Sequence, residues 1–347
     1  MNAPESPRQD RPEKDRPSIF ITNHVRPELI TFLKKIARVD ANPKAKPFSR
    51  DEFFKRASRA SAMMVFMNDS LDAAILDRCP NLRVVAAALK GCDNFDVGAC
   101  TVRGIWFTIV PDLLTTPTAE LAVALALGLS RKILDGDRIV RSGKFSGWRP
   151  RLYGTGLSGR TAGIVGMGKL GRALARRLAA FEMKIVYADP IALSAESERE
   201  FGAVRLNLVK LLAQSDFVFL LLPLAPPTKH LFDSGTVARM RPDSFLINVG
   251  RGSVVDERAV AHALESGRLA GYAADVFEME DWARSDRPNS IDAALIAQTE
   301  KTLFTPHLGS AVAEVRYEIE MRAARNIAEA LAGRRPPDAI NEPRQKP

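Results

Sequence analysis

The sequence predicts an α/β protein of two doubly wound parallel-sheet domains with a cleft between them. Three observations carry that prediction. Short apolar runs such as "AMMVFM" and "DFVFLLLP" alternate with helix-patterned stretches, as parallel sheets covered on both faces require. The alternation occurs in two series, separated by one long apolar helix, "TPTAELAVALALGLSRKI" (116–133). A chain of 347 residues is long enough to bury two cores of ordinary size.

The elements follow in order. Residues 18–22, "SIFIT", form a first strand, and "VRPELITFLKKIA" a helix. "DEFFKRAS" is helical, "AMMVFM" (62–67) is a strand, and "DAAILDRCP" is a helix before the strand "LRVVAAAL" (82–89). "GIWFTIV" (104–110) is a strand ending at Pro111. In the long helix Thr116 is placed to cap, Pro117 fits the first turn and Glu120 suits the positive end. A looser aromatic segment, "SGKFSGWRPRLYGTGLSGR", precedes the second series, whose strands are "TAGIVGMG", "KIVYADP", "DFVFLLLP", "SFLINVG" and "GYAADVF". "TLFTPHLGS" (302–310) leads to a last helix, "EVRYEIEMRAARNIAEAL" (314–331), expected to return to the first domain. Open sheets of this kind bind ligands at the carboxyl ends of their strands.

Composition is globular, 46% apolar and 26% charged. No apolar stretch reaches the length of a bilayer span. The polar, Pro-rich start, "MNAPESPRQDRPEKDRPS", lacks the apolar core of a secretion signal and reads as a disordered tail. "RRPPDAINEPRQKP" reads likewise. Cys79, Cys92 and Cys100 have no metal-binding spacing, so ordinary thiols of a reducing cytoplasm are expected, and no metal. The formal charge of +9 invites a nucleic-acid reading. The basic residues, however, sit in the tails or beside acids on helices, and with 7% aromatics no basic and aromatic stripe forms. Neither nucleic acid nor membrane is the expected partner; a small anion accounts for the charge equally well.

"TAGIVGMGKLGRALARRLAAFEMKIVYADP" (161–190) carries the strongest local motif. An apolar strand runs directly into Gly166-x-Gly168-x-x-Gly171 and a helix. Gly166 permits the tight turn, Gly168 lets backbone approach a pyrophosphate, and Gly171 lets helix and strand pack closely. The helix N-terminus offers unpaired N–H groups to the phosphates. Asp189 ends the next strand, where a carboxylate accepts the ribose hydroxyls of NAD and repels the 2′-phosphate of NADP. NAD is the expected cofactor.

Three further segments place polar groups at strand ends. "FLINVGRGSVVDE" puts Arg251 just past an apolar strand, where a guanidinium either grips two oxygens of an anion or makes a buried ion pair. "GYAADVFEME" ends with Asp275, and Glu280 follows five residues later. "LFTPHLGS" sets His307 between Pro306 and a turn, a position open to a structural or a catalytic histidine.

The series "VGMGKLG", "INVGRGSVVDE", "AADVFEME" and "TPHLGS" resembles the NAD-dependent D-2-hydroxyacid dehydrogenases over about residues 18–335. The resemblance implies a flavodoxin-like substrate domain of residues 18–113 plus 306–335. It implies a Rossmann-like NAD domain of residues 114–305, with tails at 1–17 and 336–347. Arg251, Glu280 and His307 become the catalytic set, with the arginine holding an anionic substrate and the histidine moving a proton. Thr118, Lys169, Leu170, Val249, Gly250, Asp275, Gly309 and Ser310 join the three glycines and Asp189 around the cofactor, with Asp275 at the nicotinamide end. A homodimer is implied, with the long helix and "SGKFSGWRPRLYG" at its interface.

The chain departs from that family's usual pattern in two places. Proline usually follows the catalytic acid, where this chain has "EMEDWARSDRP", and a small uncharged residue usually stands where it has Lys90. With "AMMVFM", "LKGCDNFD", "VPDLLTTPTAEL" and "WRPRLYGTGL", these stretches resemble one subgroup, the phosphonate (phosphite) dehydrogenases. By position alone, Lys90 either lifts its ammonium into solvent or faces an anion. Phosphite is largely dianionic, more charge than one arginine balances, so the resemblance makes Lys90, with Gly91, a substrate ligand. It also suggests Met67 and Arg316, which by themselves read as a core methionine and a solvated charge. The expected reaction is NAD-dependent oxidation of phosphite to phosphate. The rivals are a dehydrogenase of a small 2-hydroxy acid and an NAD-sensing binding or corepressor protein of the same fold.

Overall fold

The computed structural model describes residues 16–44 and 46–343; the expected N-terminal tail lies outside the described residues as far as residue 15. The chain divides into two units, one running to Leu113 and resuming at Val312, the other Leu114–Ala311. The return to the first unit thus comes at 312 rather than 306. Among the described residues no helix is long and apolar enough to cross a membrane.

In the first unit, β1 (Ser18–Ile21), β2 (Arg38–Ala41), β3 (Ala62–Val65), β4 (Val84–Ala87) and β5 (Trp106–Thr108) form one sheet in the order β2-β1-β3-β4-β5. Every pairing is parallel. This is the flavodoxin order. All residues of β3 and β4 are buried, which is why both read as unbroken apolar runs. The strand order reverses between β1 and β3, and there Asp69 holds the loop after β3. Its carboxylate accepts the Thr22 hydroxyl at 2.5 Å and the Phe66 amide at 2.7 Å. Burial pushes that carboxyl up to about 6.

The expected C-terminal tail is ordered to residue 343, a correction with a clear cause. Asn341 accepts the Phe107 amide at 2.7 Å and donates to the Ile105 carbonyl at 2.9 Å, while the Ile340 amide bonds the Phe107 carbonyl. Arg322 grips Asp338 with two bonds of 2.7 and 2.8 Å. The segment thereby covers edge strand β5, whose backbone groups need partners.

The second unit holds β6 (Thr161–Val165), β7 (Lys184–Ala188), β8 (Ala203–Arg205), β9 (Phe217–Leu220), β10 (Ser244–Asn248), β11 (Leu269–Ala274) and β12 (Thr302–Phe304). Their order is β12-β11-β10-β9-β6-β7-β8, all parallel, with the reversal between β6 and β9. The helix Lys169–Ala180 buries Gly171, Leu174, Ala175 and Leu178, one face at helical spacing. The long helix spans Thr115–Ser130 with Leu114 at its N-cap and no side-chain cap. Thr116 therefore does not cap it. Lys132, at φ 53°, breaks the helix from a separate one at Ile133–Arg141.

The Asp69 carboxyl sets a pH dependence. In the native chain it stays protonated to about pH 6, whereas the unfolded group releases its proton near 3.8. Between those values the native state holds more protons, so stability falls as pH rises. Asp69→Asn is expected to flatten that fall, which amounts to about 2–3 kcal/mol; urea melts at pH 4, 5, 6 and 7 measure it.

Candidate active site

The glycine loop is built as a cradle. Gly166 has φ +98°, and a Cβ there would stand 3.1 Å from the Leu221 carbonyl oxygen. A Cβ on Gly171 would meet the Gly166 carbonyl oxygen at 2.4 Å. Around Gly168, by contrast, nothing lies within 4 Å of that position, and it caps the helix that begins at Lys169. Two glycines serve packing; the third keeps open the approach to a helix N-terminus, which is what a pyrophosphate needs. Asp189 latches this loop to β7 by accepting the Met167 amide at 2.7 Å. The residues present fit NAD.

Arg251 leaves β10 on a turn set by Asn248, whose side chain accepts the Gly250 amide at 3.1 Å and donates to the Arg251 carbonyl at 3.0 Å. The guanidinium also donates to the Gly250 carbonyl at 3.1 Å and is half-buried. A Cβ on Gly252 would lie 1.9 Å from the Phe277 carbonyl carbon, so only glycine lets the arginine loop press on the segment after β11.

Glu280 lies in that segment. Its Oε1 accepts the Phe277 amide at 2.8 Å, and its Oε2 is 2.7 Å from His307 Nδ1. An ionised carboxylate only accepts, so Nδ1 carries the hydrogen and Nε2 is left to accept a proton. His307 has φ +57°, a left-handed conformation that strains a side-chain-bearing residue. Asp275 holds it there. It is 1% exposed. Its Oδ1 accepts the Thr305 hydroxyl at 2.5 Å and the Leu308 amide at 2.6 Å, and its Oδ2 the Gly309 amide at 2.8 Å. Burial pushes the Asp275 carboxyl up, against those hydrogen bonds and the neighbouring imidazole. The structure thus shows Asp275 as the clamp of the histidine loop. Gly309 lies against it and against Thr118, whose Oγ1 would be 3.0 Å from a Cβ there. Ser310 follows half-buried, Val249 is core, and Leu170 packs on the core beside Lys169.

Several positioning residues escape sequence reading. Asp281 accepts the Ser253 amide at 2.6 Å, two residues past Arg251. Arg284 donates to the Ser253 hydroxyl at 2.7 Å and to Glu278 Oε2 at 2.6 Å, and His230 Nε2 meets the same Glu278 oxygen at 2.7 Å. The unusual run "EMEDWARSDRP" is therefore a strap that ties the loop of Arg251 to the turn of Glu280. Its density of charge, where proline is usual, is the signal that points to it. Among the described residues no group of three or more His, Cys, Asp or Glu is placed to hold a metal ion.

In the first unit, Met67 follows β3, packs beside the apolar core and has its carbonyl held by Asn94 at 3.0 Å. Lys90 and Gly91 follow β4; Lys90 is exposed, and among the described residues its side chain has no hydrogen-bond or ion-pair partner. Arg316 is no solvated charge. Its side chain is 27% exposed, 3.9 Å from Glu320, with the guanidinium 5.9 Å from the Phe66 ring centroid.

A family model described as "D-isomer specific 2-hydroxyacid dehydrogenase, NAD binding domain" matches residues 123–309. Glyoxylate reductase of Thermococcus litoralis is 35% identical over 94% of this chain and 97% of its own. Glyoxylate reductase of Pyrococcus furiosus is 34% identical over 94% and 96%. The TT0316 protein of Thermus thermophilus superposes with a TM-score of 0.84 at 31% identity, covering 93% of this chain and 99% of that one. Neither curated relative bears the name phosphite dehydrogenase.

The strap is expected to be sensitive to loss of one charge. Arg284→Met leaves Glu278, 7% exposed, without its guanidinium and is expected to cost about 3 kcal/mol. Adding Glu278→Gln recovers part of that loss if the two act as a pair; a thermal-melt double-mutant cycle measures the coupling.

Proposed function

The chain belongs to the D-isomer specific 2-hydroxyacid dehydrogenase family and is an NAD-dependent oxidoreductase; within that family we propose, from Lys90, that its substrate is phosphite, oxidised to phosphate. The observation that carries this reading is Lys90, an unpaired ammonium beside a strand end. A 2-hydroxy acid carries one negative charge, which Arg251 alone can meet with a bidentate grip. Phosphite carries nearly two. The reading assigns Lys90, with Gly91, Met67 and Arg316, to binding the phosphite oxyanion.

The balanced reaction is phosphite + NAD⁺ + water → phosphate + NADH + H⁺. A P–O bond forms from water as the P–H bond breaks, its electron pair leaving as hydride. NAD, held by the Gly166–Gly171 loop and Asp189, supplies the hydride acceptor. His307 Nε2 takes the proton of the attacking water, while Glu280 fixes the ring through Nδ1. Arg251 neutralises and orients the oxyanion.

A second reading is favoured by the names of the relatives: reduction of glyoxylate, or oxidation of a small 2-hydroxy acid. His307 then exchanges its proton with the substrate hydroxyl oxygen, and the substrate brings no second negative charge for Lys90 to balance. An NAD-sensing binder of this fold has no need of the 2.7 Å pair of His307 and Glu280.

We further propose a homodimer. Ile133, Val140, Phe145, Trp148 and Tyr153 leave large apolar side chains exposed along one segment, Trp148 by 78% and Tyr153 by 75%. Such surface normally finds a partner. Light scattering is expected to give twice the chain mass, and Trp148→Glu with Tyr153→Glu to give the monomer.

Two assays separate the substrates. NAD with phosphite is expected to yield NADH; turnover of glyoxylate with NADH while phosphite stays inert would sink the phosphite reading. Lys90→Ala is expected to raise KM for phosphite about tenfold or more, the loss of one charged hydrogen bond, with KM for NAD changed far less. His307→Ala is expected to abolish turnover in a folded protein.

A further inference from the structure

The corner that selects the cofactor contains a cation that sequence order hides. Asp189 follows β7 with both oxygens engaged by backbone, Oδ2 by the Met167 amide at 2.7 Å and Oδ1 by the Ile191 amide at 2.8 Å. On the neighbouring strand β8, Arg205 reaches to the same turn. Its Nε and Nη2 donate to the Asp189 carbonyl at 3.2 and 2.8 Å, and Nη2 donates to the Pro190 carbonyl at 2.8 Å. Two neutral carbonyls thus fix the guanidinium. Arg205 is exposed, and among the described residues it has no salt bridge and no partner for Nη1.

We infer that Arg205 is a cofactor-specificity residue, binding the 2′-phosphate of NADP so that the chain accepts NADP beside NAD. Asp189 alone repels that phosphate. Its charge is already shared with two amide hydrogens, and a fixed cation bonded to its own carbonyl offsets the rest. An arginine edge with free N–H groups suits phosphate oxygens. Pro190 and Ile191 contribute no charge to the corner. The inference rests on the NAD domain and is independent of which substrate the enzyme oxidises.

The test is calorimetric titration of the full chain with NADH and with NADPH, without substrate. The wild type is expected to bind NADPH within about tenfold of NADH, and added salt to weaken NADPH more. In Arg205→Gln the ratio of the two Kd values, NADPH over NADH, is expected to rise about tenfold or more, as for loss of one charged hydrogen bond. Arg205→Lys, which keeps the charge but not the planar fork, is expected to fall between them. No NADPH binding by the wild type at millimolar concentration overturns the inference. So does an unchanged ratio in Arg205→Gln, which would leave Arg205 only a brace for the turn after β7.

Discussion

The candidate site depends on one buried carboxylate. Asp275, at the end of β11, gathers the Thr305 hydroxyl and the amides of Leu308 and Gly309, and its own carbonyl takes the His307 amide at 2.9 Å. These bonds bend the loop after β12 so that His307 sits at φ +57°. A histidine adopts that conformation only where the surroundings over-determine it. With the backbone held, the ring falls 2.7 Å from Glu280, and the pair presents one defined nitrogen. The small residue Gly309 belongs to the same constraint, since any larger side chain would press on both Thr118 and Asp275.

A second layer of charge holds the other half. Arg251 and Glu280 come from different strand ends, and the strap from Glu278 to Asp286 is what couples them. Arg284 is nearly buried, with side-chain exposure of 10%, and satisfies Glu278, Ser253 and Asp286 together. Buried ion pairs contribute little net stability compared with apolar packing but strongly disfavour alternative arrangements once one partner is committed. Where proline would stiffen this segment through its ring, this chain stiffens it through hydrogen bonds. Glu257 continues the network, its carboxylate taking the Glu278 amide at 2.8 Å and the Asp292 amide at 2.9 Å.

The parts of the site legible in sequence are those that a backbone demands locally. Gly166, Gly168 and Gly171 follow an apolar strand at a fixed spacing and open a helix, and Arg251, Glu280 and His307 each stand within a few residues of a strand end. Hidden parts depend on contacts far along the chain. Strands β2, "RVDA", and β8, "AVR", are short edge strands with too few apolar residues to show a period. The end segment reads as disordered because its order comes from Asn341 and Asp338 bonding residues distant in sequence, not from its own composition. Arg205 is invisible in sequence for the same reason: only the pairing of β7 with β8 brings it to the Asp189 turn.

Charge in the first unit points beyond stability. Arg316 is mostly buried, and burial lowers its proton affinity, while its salt bridge to Glu320 spans 3.9 Å. Glu320 is 7% exposed, its Oε2 has no hydrogen-bond partner, and burial pushes its carboxyl up. Each group is desolvated more than the other repays, an arrangement that apolar packing would improve. Lys90 adds an ammonium with no acid beside it. A fold under no other demand would bury leucine at 316 and place no cation at 90. Such locally unfavourable charge is what a fold retains where something other than its own stability selects the residue.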